Sequence, residues 1–432
     1  MKSMTRLSAV LFLSYAFFAT AQAETWPQFR GSQGLGVSSE TNLPAHWTPD
    51  SGLQWTVDLP GRANSSPAVT AARIDLTTQL EDNSLVVLSI DRTNGKIIRQ
   101  TNVGKGKLAA KGPANLYAHR HNAATPSPIA DDDHVWAFFG TGLLVCVDAH
   151  SGAIKWKHDM VREYGAYNIT FGMGSSPRLW GDLLYVACMT KGPSYVVAFD
   201  KNTGQEVWKA SRRLPAADDG PDAYSTPIIY HAKTGFELLV SGSDHVNAYD
   251  LSSGKQLWVS DGLKIDSPYG RVIASPTVAD GVIVATSANP AGAGKGRLIA
   301  IRTGGNGNIS ESNRLWEYSQ STPDSSTPVI YKGRLFACAD SGVAKCFDLR
   351  TGELQWTKRL ATGPYHASLV AGDRKVYFIN IKGLCTVMAA DSRPQDLARN
   401  QLPGTFYATP AISDGVLYLR AYEKLYAVRG DK

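Results

Sequence analysis

The residues best suited to binding chemistry stand immediately before a series of short apolar segments, most of which begin with Ser-Pro or Thr-Pro. These positions are rich in Arg, Tyr and His, although the chain has only 9 histidines. Arginine offers forked donors to carboxylates and tyrosine offers a flat stacking face, so the set predicts a site for a small anionic or aromatic ligand. The predicted ligand-binding residues are His119, Arg120, His121, Asn122, Tyr167, Asn168, Asp222, Tyr224, Tyr269, Arg271, Tyr365, His366 and Tyr407, with Asn64, Phe171, Asp324 and Phe406 at equivalent positions. The alternative is that these side chains only pack within the loops around a water-filled channel and form hydrogen bonds that hold those loops.

A metal-dependent alternative rests on the oxygen donors Glu163, Asn168 and Asp222, because Ca²⁺ prefers carboxylate and amide oxygens. Other chemical motifs are absent from the sequence. No His/Cys cluster has the spacing of a zinc site, and no G-x-S-x-G motif for a nucleophilic serine occurs. No residue is therefore assigned a catalytic role.

A repeat indicates the fold that must position these residues. The spacing Asp-x3-Gly-x3-Trp occurs four times, at Asp148/Gly152/Trp156, Asp200/Gly204/Trp208, Asp250/Gly254/Trp258 and Asp348/Gly352/Trp356. The Asp can bond its own following backbone in a turn, and the Gly supplies the positive φ of that turn. The Trp then opens the next strand, where its ring can bury against a neighbouring sheet. A further copy, at Asp91 and Gly95, carries Arg99 in place of the tryptophan.

Eight Pro-led segments alternate with these turns and predict eight four-stranded antiparallel blades. They begin near Pro67, Pro128, Pro177, Pro227, Pro276, Pro328, Leu369 and Pro410. The last blade lacks its fourth strand after residues 425–428, and residues 53–58 can supply that strand and close the ring. The sequence thus predicts an all-β, eight-bladed β-propeller whose Pro-led strands surround a central channel. A seven-bladed alternative would omit the degenerate copy at 369–390.

The first 23 residues are typical of a secretory signal peptide. Lys2 and Arg6 precede an apolar run, and 21–23 form an Ala-x-Ala cleavage site. We expect cleavage near Ala23, an N-terminal arm at 24–46 and the propeller at 47–432, in the periplasm or outside the cell. No cysteine stands directly after the expected cleavage site to carry a lipid, the nearest being Cys146. No other apolar run is long enough for a transmembrane segment.

Charge and cysteine content predict few other partners. The formal net charge of +6 becomes +4 without Lys2 and Arg6, and no basic block favours nucleic acid. The 5 cysteines are scattered, and Cys146 and Cys346 occupy equivalent repeat positions, so we interpret them as small packing residues. A monomer that binds an unknown protein or small molecule at the channel is expected.

The alternating Pro-led and Asp-x3-Gly-x3-Trp strands resemble the quinoprotein-like β-propeller family, over nearly all of the chain after 23. The opening Trp26-Pro27-Gln28-Phe29-Arg30-Gly31 is similar to the start of exported proteins with PQQ-binding-like repeats. The resemblance implies three functions. The first is a non-catalytic binding or scaffold propeller; the second is a PQQ- and calcium-dependent dehydrogenase; the third is an assembly factor for outer-membrane proteins. The dehydrogenases of the family carry adjacent cysteines, whereas no two cysteines are adjacent here.

Overall fold

The predicted eight-bladed β-propeller is confirmed. The computed structural model describes residues 24–108, 120–232, 235–288 and 295–430, whose strands form eight antiparallel sheets of four strands, one of them with a short fifth strand. The described residues contain one helix, α1 (Met160–Tyr164), and none of their helices has the length and apolarity of a membrane span. The predicted signal peptide and His119 lie outside the described residues.

The first four blades follow one another along the chain, each running from the channel outward. Blade 1 contains β2 (Ala68–Val69), β3 (Arg73–Gln79), β4 (Ser84–Asp91) and β5 (Ile97–Lys105). Blade 2 contains β6 (Ile129–Ala130), β7 (His134–Phe138), β8 (Leu143–Asp148) and β9 (Ile154–Asp159). Blade 3 contains β10 (Arg178–Trp180), β11 (Leu183–Cys188), β12 (Tyr195–Asp200) and β13 (Glu206–Ser211). Blade 4 contains β14 (Ile228–Ala232), β15 (Gly235–Gly242), β16 (His245–Asp250) and β17 (Gln256–Ser260).

The second half repeats the pattern with two departures. Blade 5 contains β18 (Thr277–Ala279), β19 (Val282–Ala288), β20 (Lys295–Arg302) and β22 (Arg314–Gln320), and the intervening β21 (Gly307–Asn308) pairs in parallel with β17 of blade 4. Blade 6 contains β23 (Val329–Tyr331), β24 (Arg334–Cys338), β25 (Val343–Asp348) and β26 (Leu354–Arg359). Blade 7 contains β27 (Val370–Gly372), β28 (Lys375–Ile379), β29 (Leu384–Ala389) and β30 (Asp396–Gln401). Blade 8 contains β31 (Ala411–Ser413), β32 (Val416–Arg420), β33 (Lys424–Val428) and β1 (Leu53–Asp58).

The two ends of the described chain meet in blade 8. Strand β1 pairs antiparallel with β33, with Trp55 opposite Ala427 and Val57 opposite Leu425. This pairing supplies the fourth strand that the last repeat lacks. The degenerate copy near Leu369 forms blade 7 as a complete sheet, so the seven-bladed alternative is wrong.

The repeated tryptophan and glycine interlock neighbouring blades. The Trp208 indole N–H donates to the Leu251 carbonyl at 2.8 Å, and the ring lies against Gly254 in the next blade. The same indole-over-glycine contact occurs for Trp55/Gly95, Trp156/Gly204 and Trp316/Gly352. In blade 1, Arg99 replaces the tryptophan and donates to the Ala149 carbonyl at 2.6 Å. The glycine is needed for its positive φ and also because a side chain would enter the space of the indole.

A ring of hydroxyl groups joins the eight innermost strands. The residue in front of each strand's proline position, which we call the hydroxyl collar, is Ser66, Ser127, Ser176, Thr226, Ser275, Thr327, Ser368 or Thr409. Each collar backbone N–H donates to the hydroxyl oxygen of the next blade's collar residue, at 2.8–3.1 Å. The series closes because the Thr409 N–H donates to Ser66 Oγ.

The N-terminal arm crosses the opposite end of the channel. Trp26 exchanges backbone hydrogen bonds with Val69 at the end of the first innermost strand. The Arg30 guanidinium donates to the carbonyls of Pro328 and Leu369, on the far side of the ring, at 2.8 and 2.7 Å. Because the innermost strands all start at the collar and run toward the arm, Phe29 between these anchors faces the channel from below.

We predict that Gly254→Ala lowers the free energy of unfolding far more than Gly415→Ala does. Both glycines have φ of 68°, so both substitutions carry the left-handed cost of about 1–2 kcal/mol. A Cβ at Gly254 would also overlap the Trp208 ring, whereas nothing lies within 4 Å of one at Gly415; overpacking adds about 1–3 kcal/mol. Denaturant unfolding of both variants measures the difference. Equal losses would mean that the Trp–Gly contact is not tight.

We also predict that Thr409→Val destabilises the propeller by roughly 1–3 kcal/mol, because the buried Ser368 N–H loses its acceptor while the side-chain volume hardly changes. Thr357→Val is the matched control, since Thr357 is exposed on β26. Thermal and denaturant unfolding provide the measurement. If the two variants unfold alike, the collar contributes no net stability.

Candidate functional site

The central channel holds a cavity of about 400 Å³. All eight collar residues line it, and Phe29 of the arm joins them. The remaining wall comes from the loops in front of the innermost strands. Of the residues predicted from sequence, those that line the cavity are Asn64, Arg120, His121, Asn122, Phe171, Tyr224, Arg271, Asp324, His366 and Tyr407.

Other predicted residues lie outside the cavity wall. Tyr167 packs its hydroxyl against the Cys188 thiol at 3.5 Å, and Tyr269 is 55% exposed. Tyr365 is buried in the core against Gly342. Asp222 sits behind the wall, where its Oδ2 accepts from the N–H and hydroxyl of Thr170, at 2.8 and 2.9 Å. Asn168 and Phe406 are also absent from the lining. These loops turn before they reach the strand, so only some of their side chains point inward.

The oxygen donors proposed for calcium have different surroundings. Glu163 lies in α1, and its carboxylate contacts His158 Nδ1 at 2.8 Å. Asp222 Oδ2 accepts from Thr170, whereas its buried Oδ1 has no partner among the described residues. The described parts of the chain contain no group of three or more His, Cys, Asp or Glu that could hold a metal ion. All five cysteines are buried free thiols.

His366 is held in a fixed orientation at the cavity wall. Its Nδ1 lies 2.9 Å from Asp340 Oδ2 and 2.8 Å from Ser325 Oγ. The imidazole also stacks on the Tyr407 ring, with centroids 5.2 Å apart and an interplanar angle of 5°. The carboxylate and the hydroxyl thus hold the imidazole through Nδ1.

The tyrosine beside His366 belongs to a longer stack. Tyr407 lies parallel to Tyr422, at 5.4 Å and 8°. The Arg62 guanidinium covers the Tyr422 ring at 4.3 Å from its centroid. The stack restrains the imidazole plane from one side, and the Nε2 atom is buried without a partner in the described protein.

Asp324 and Asp340 are adjacent carboxyls with opposite pKa shifts. Burial, followed by the nearby charge of Asp340, raises the pKa of Asp324 to about 8. Burial acts in the same direction on Asp340, but its bonds to His366 and Ser325 hold the Asp340 pKa below the ordinary value. At neutral pH Asp340 is thus ionised, and Asp324 is largely protonated.

Several buried polar atoms of the cavity wall have no partner in the described protein. They are His121 Nε2, Arg271 Nε, Asp324 Oδ1 and His366 Nε2. Burial lowers the pKa of His121 to about 4, so its imidazole is neutral. An unpaired buried donor or acceptor costs about 1–3 kcal/mol. Similar unpaired atoms occur elsewhere in the described protein, for example on Arg212 and Arg420, so they do not by themselves mark a ligand.

The interior of the ring carries uncompensated positive charge. Arg30, Arg178 and Arg420 are fully buried and donate to carbonyl or hydroxyl oxygens, and no carboxylate of the described residues pairs with any of them. Burial lowers the pKa of each to about 9, which still leaves them charged at neutral pH. Arg178 donates to the Phe29 carbonyl at 3.0 Å, so one of these charges lies directly beside the floor of the cavity.

A family model described as "Outer membrane protein assembly factor BamB" matches residues 140–401, from the third strand of blade 2 to the last strand of blade 7. The chain belongs to this family. The outer membrane protein assembly factor BamB of Nitrosomonas eutropha (strain DSM 101675 / C91 / Nm57) is 24% identical over 238 residues, which are 54% of this chain and 50% of the relative. The chain therefore spans about half the length of this curated relative.

Solved structures share the fold of this BamB-family chain. BamB from Moraxella catarrhalis aligns with a TM-score of 0.60 at 15% identity, covering 86% of this chain and 95% of the other. A quinohemoprotein alcohol dehydrogenase from Pseudomonas putida HK5 aligns with a TM-score of 0.63 at 13% identity, covering 94% and 81%. At these identities the likeness shows the propeller fold alone.

Part of the site in this BamB-family chain carries no signal in the sequence. Ser325 and Asp340 were not predicted, and Asp340 stands where other blades carry Gly140 or Ile381, so no repeated signal marks it. The collar was visible as the repeated Ser or Thr before proline, but its side chains were not assigned a role. Lys107 and Leu108, which also line the cavity, precede no Pro-led strand directly.

Asp324 should make stability depend on pH. The ordinary pKa of an aspartate carboxyl is 3.8, and the fold raises that of Asp324 to about 8, so the folded state binds the proton more tightly. The stabilisation that protonated Asp324 contributes to the folded state is complete below about pH 4 and is lost as pH rises toward about 8. Asp324→Asn should therefore gain stability relative to the parent across that range, as denaturant unfolding at several pH values can measure. Asp132→Asn, at an exposed position, is the control. If the free energy of unfolding of Asp324→Asn ran parallel to that of the parent at all pH values, the raised pKa of Asp324 would be contradicted.

Proposed function

We propose that this propeller is a binding protein whose central cavity takes a small anion rich in oxygen atoms. The main observation that supports this proposal is the hydroxyl collar. Each collar oxygen already accepts a backbone N–H, and none of the eight hydroxyls donates to an acceptor among the described residues. The eight hydroxyl protons are thus available to acceptors within the cavity that the collar lines.

The charge of the surroundings supports an anion over a neutral ligand. Arg271 is nine-tenths buried, and although Asp219 lies 3.6 Å away, its Nε has no partner in the described protein. The guanidinium stands over the Phe171 ring at 4.6 Å, which fixes its plane at the wall. Arg30 and Arg178 add uncompensated charge below the collar. These positive charges favour an anion, and they outnumber the one ionised carboxylate of the wall, that of Asp340.

A role in outer-membrane protein assembly is a second proposal, which family membership favours. The named relative is an assembly factor, and a propeller can present its faces to protein partners while the channel serves another purpose. Such a role would place the protein in the cell envelope, as the predicted signal peptide also would. Co-purification of outer-membrane assembly proteins with the tagged full chain would support this role, and their absence would oppose it. The dehydrogenase alternative is not proposed, because no specific observation on the described residues favours it.

Binding of trigalacturonate, citrate and neutral maltotriose tests the anion proposal. We expect at least one anion, but not maltotriose, to raise the melting temperature and to give a saturable heat signal. Arg271→Gln should weaken that binding by about tenfold or more, since a charge-assisted hydrogen bond is worth roughly 1.5–3 kcal/mol. Arg350→Gln, at an exposed turn, should bind as the parent does. No stabilisation by either anion would overturn the proposal.

A further inference from the structure

We propose that the ligand of the cavity is amphipathic: an oxygen-rich anion that also carries a branched apolar group, which lies against blades 3, 4 and 5. This inference rests on the proposed anion binding and adds to it the class of ligand and the residues that select that class. It depends on a second ring of residues beside the hydroxyl collar.

The second ring lines the cavity on the loop side of the collar. It consists of the residue two positions before each collar residue, and we call it the upper ring. All eight of its members line the cavity and are half-buried, whereas the residue between each member and its collar residue is buried. This alternation is typical of an extended chain, in which every second side chain faces the same way. The upper ring therefore surrounds the axis as the collar does.

The two rings differ in composition. The collar carries Ser or Thr in every blade, whereas the upper ring changes around the axis. In blades 3, 4 and 5 its members are Gly174, Tyr224 and Ile273. In the remaining blades they are Asn64, Thr125, Ser325, His366 and Tyr407. Because the collar offers the same donors in all directions, the upper ring is the part of the wall that can distinguish one ligand from another.

Blades 3, 4 and 5 present apolar surface to the cavity. The rings of Phe171 and Tyr224 lie with their centroids 6.4 Å apart. The Tyr224 hydroxyl accepts the Phe171 N–H at 3.4 Å, so the polar end of the tyrosine is bonded to the backbone. Leu108 and Ile273 also line the cavity. We call Leu108, Phe171, Gly174, Tyr224 and Ile273 the apolar sector.

Gly174 leaves a gap in the apolar sector. Its φ lies outside the left-handed region, so the backbone there does not require a glycine. A Cβ at this position would lie 3.3 Å from His121 Cε1 and 3.6 Å from Tyr224 Cδ1. Because every other member of the upper ring has a side chain, the cavity extends toward blade 3 between these two rings. A branched apolar group can occupy this gap.

Arg271 stands at the edge of the apolar sector. Its guanidinium lies 4.6 Å from the centroid of the Phe171 ring, and both side chains line the cavity. A carboxylate bound at Arg271 therefore brings the neighbouring carbon atoms of the ligand close to Phe171. The collar hydroxyls can donate to the remaining oxygens. Apolar walls with a few polar groups that fix orientation are typical of small-molecule sites.

Malate and 2-isopropylmalate are a matched pair of probes for the apolar sector. They share two carboxylates and one hydroxyl, and they differ only in a branch of three carbons. Burial of each added carbon is worth about fourfold in affinity. We expect 2-isopropylmalate to bind the full chain roughly tenfold or more tightly than malate does, as isothermal titration calorimetry can measure.

Two variants test where the branch binds. Gly174→Ala should remove most of the preference for 2-isopropylmalate, because its methyl group occupies the gap, and should change the affinity for malate by less than about twofold. Ile273→Ser should also reduce the preference, since it removes apolar surface from the same sector. The melting temperature of each variant shows whether it folds.

Gly192→Ala is the matched control. A Cβ at Gly192 would also lie 3.3 Å from its nearest neighbours, and its φ likewise lies outside the left-handed region. Gly192 is not part of the described cavity wall, so this variant should keep the preference of the parent.

The outcomes separate the two proposals. If 2-isopropylmalate gains nothing over malate while citrate or trigalacturonate binds, the amphipathic ligand is excluded and anion binding stands. If the preference survives in both Gly174→Ala and Ile273→Ser, the apolar sector does not hold the branch and the inference is overturned. If no anion binds, both proposals fall.

Discussion

The hydroxyl collar is the interaction on which the rest of the structure depends. The innermost strands are only two to five residues long, too short for a ladder of their own to fix their positions. Linking each to the next through one N–H and one hydroxyl sets the spacing of all eight blades around the axis. A closed circle leaves no terminal donor and no terminal acceptor, so its geometry is satisfied only when every blade is present.

The same collar residues both join the blades and line the cavity, so a change to one of them affects the fold and the binding surface together. A hydroxyl oxygen that accepts from the backbone can still donate its own proton, and all eight collar residues line the central cavity. The buried arginines act similarly, since they tie the arm to the blades through carbonyls and leave net positive charge in the interior. Structural bonds thus create a donor-rich, cationic interior as a by-product of closing the ring.

Most of the fold was predictable because its signals repeat. The Asp, Gly and Trp of each turn perform the same task in several copies, and Arg99 could be recognised as a substitute because its neighbours kept the pattern. The site was predictable only where it used the same register, as with His121, Arg271 and His366. Asp340 comes from the turn between the second and third strands of blade 6, and the equivalent turns carry Gly140 or Ile381, so no repeat marks the aspartate. Tyr269 and Tyr365 share the correct register but point to solvent and to the core, a choice made by loop geometry that no spacing encodes.

The pairing of β1 with β33 also governs the order of events during synthesis. Residues 53–58 leave the ribosome more than 360 residues before their partner at 424–428. Until that partner is made, this strand has no sheet to join, and blade 1 lacks its completed neighbour. The nascent chain therefore carries an open strand edge that is prone to mispairing until residues 424–428 are made. A ring built in this way benefits from an escort that shields its first strand.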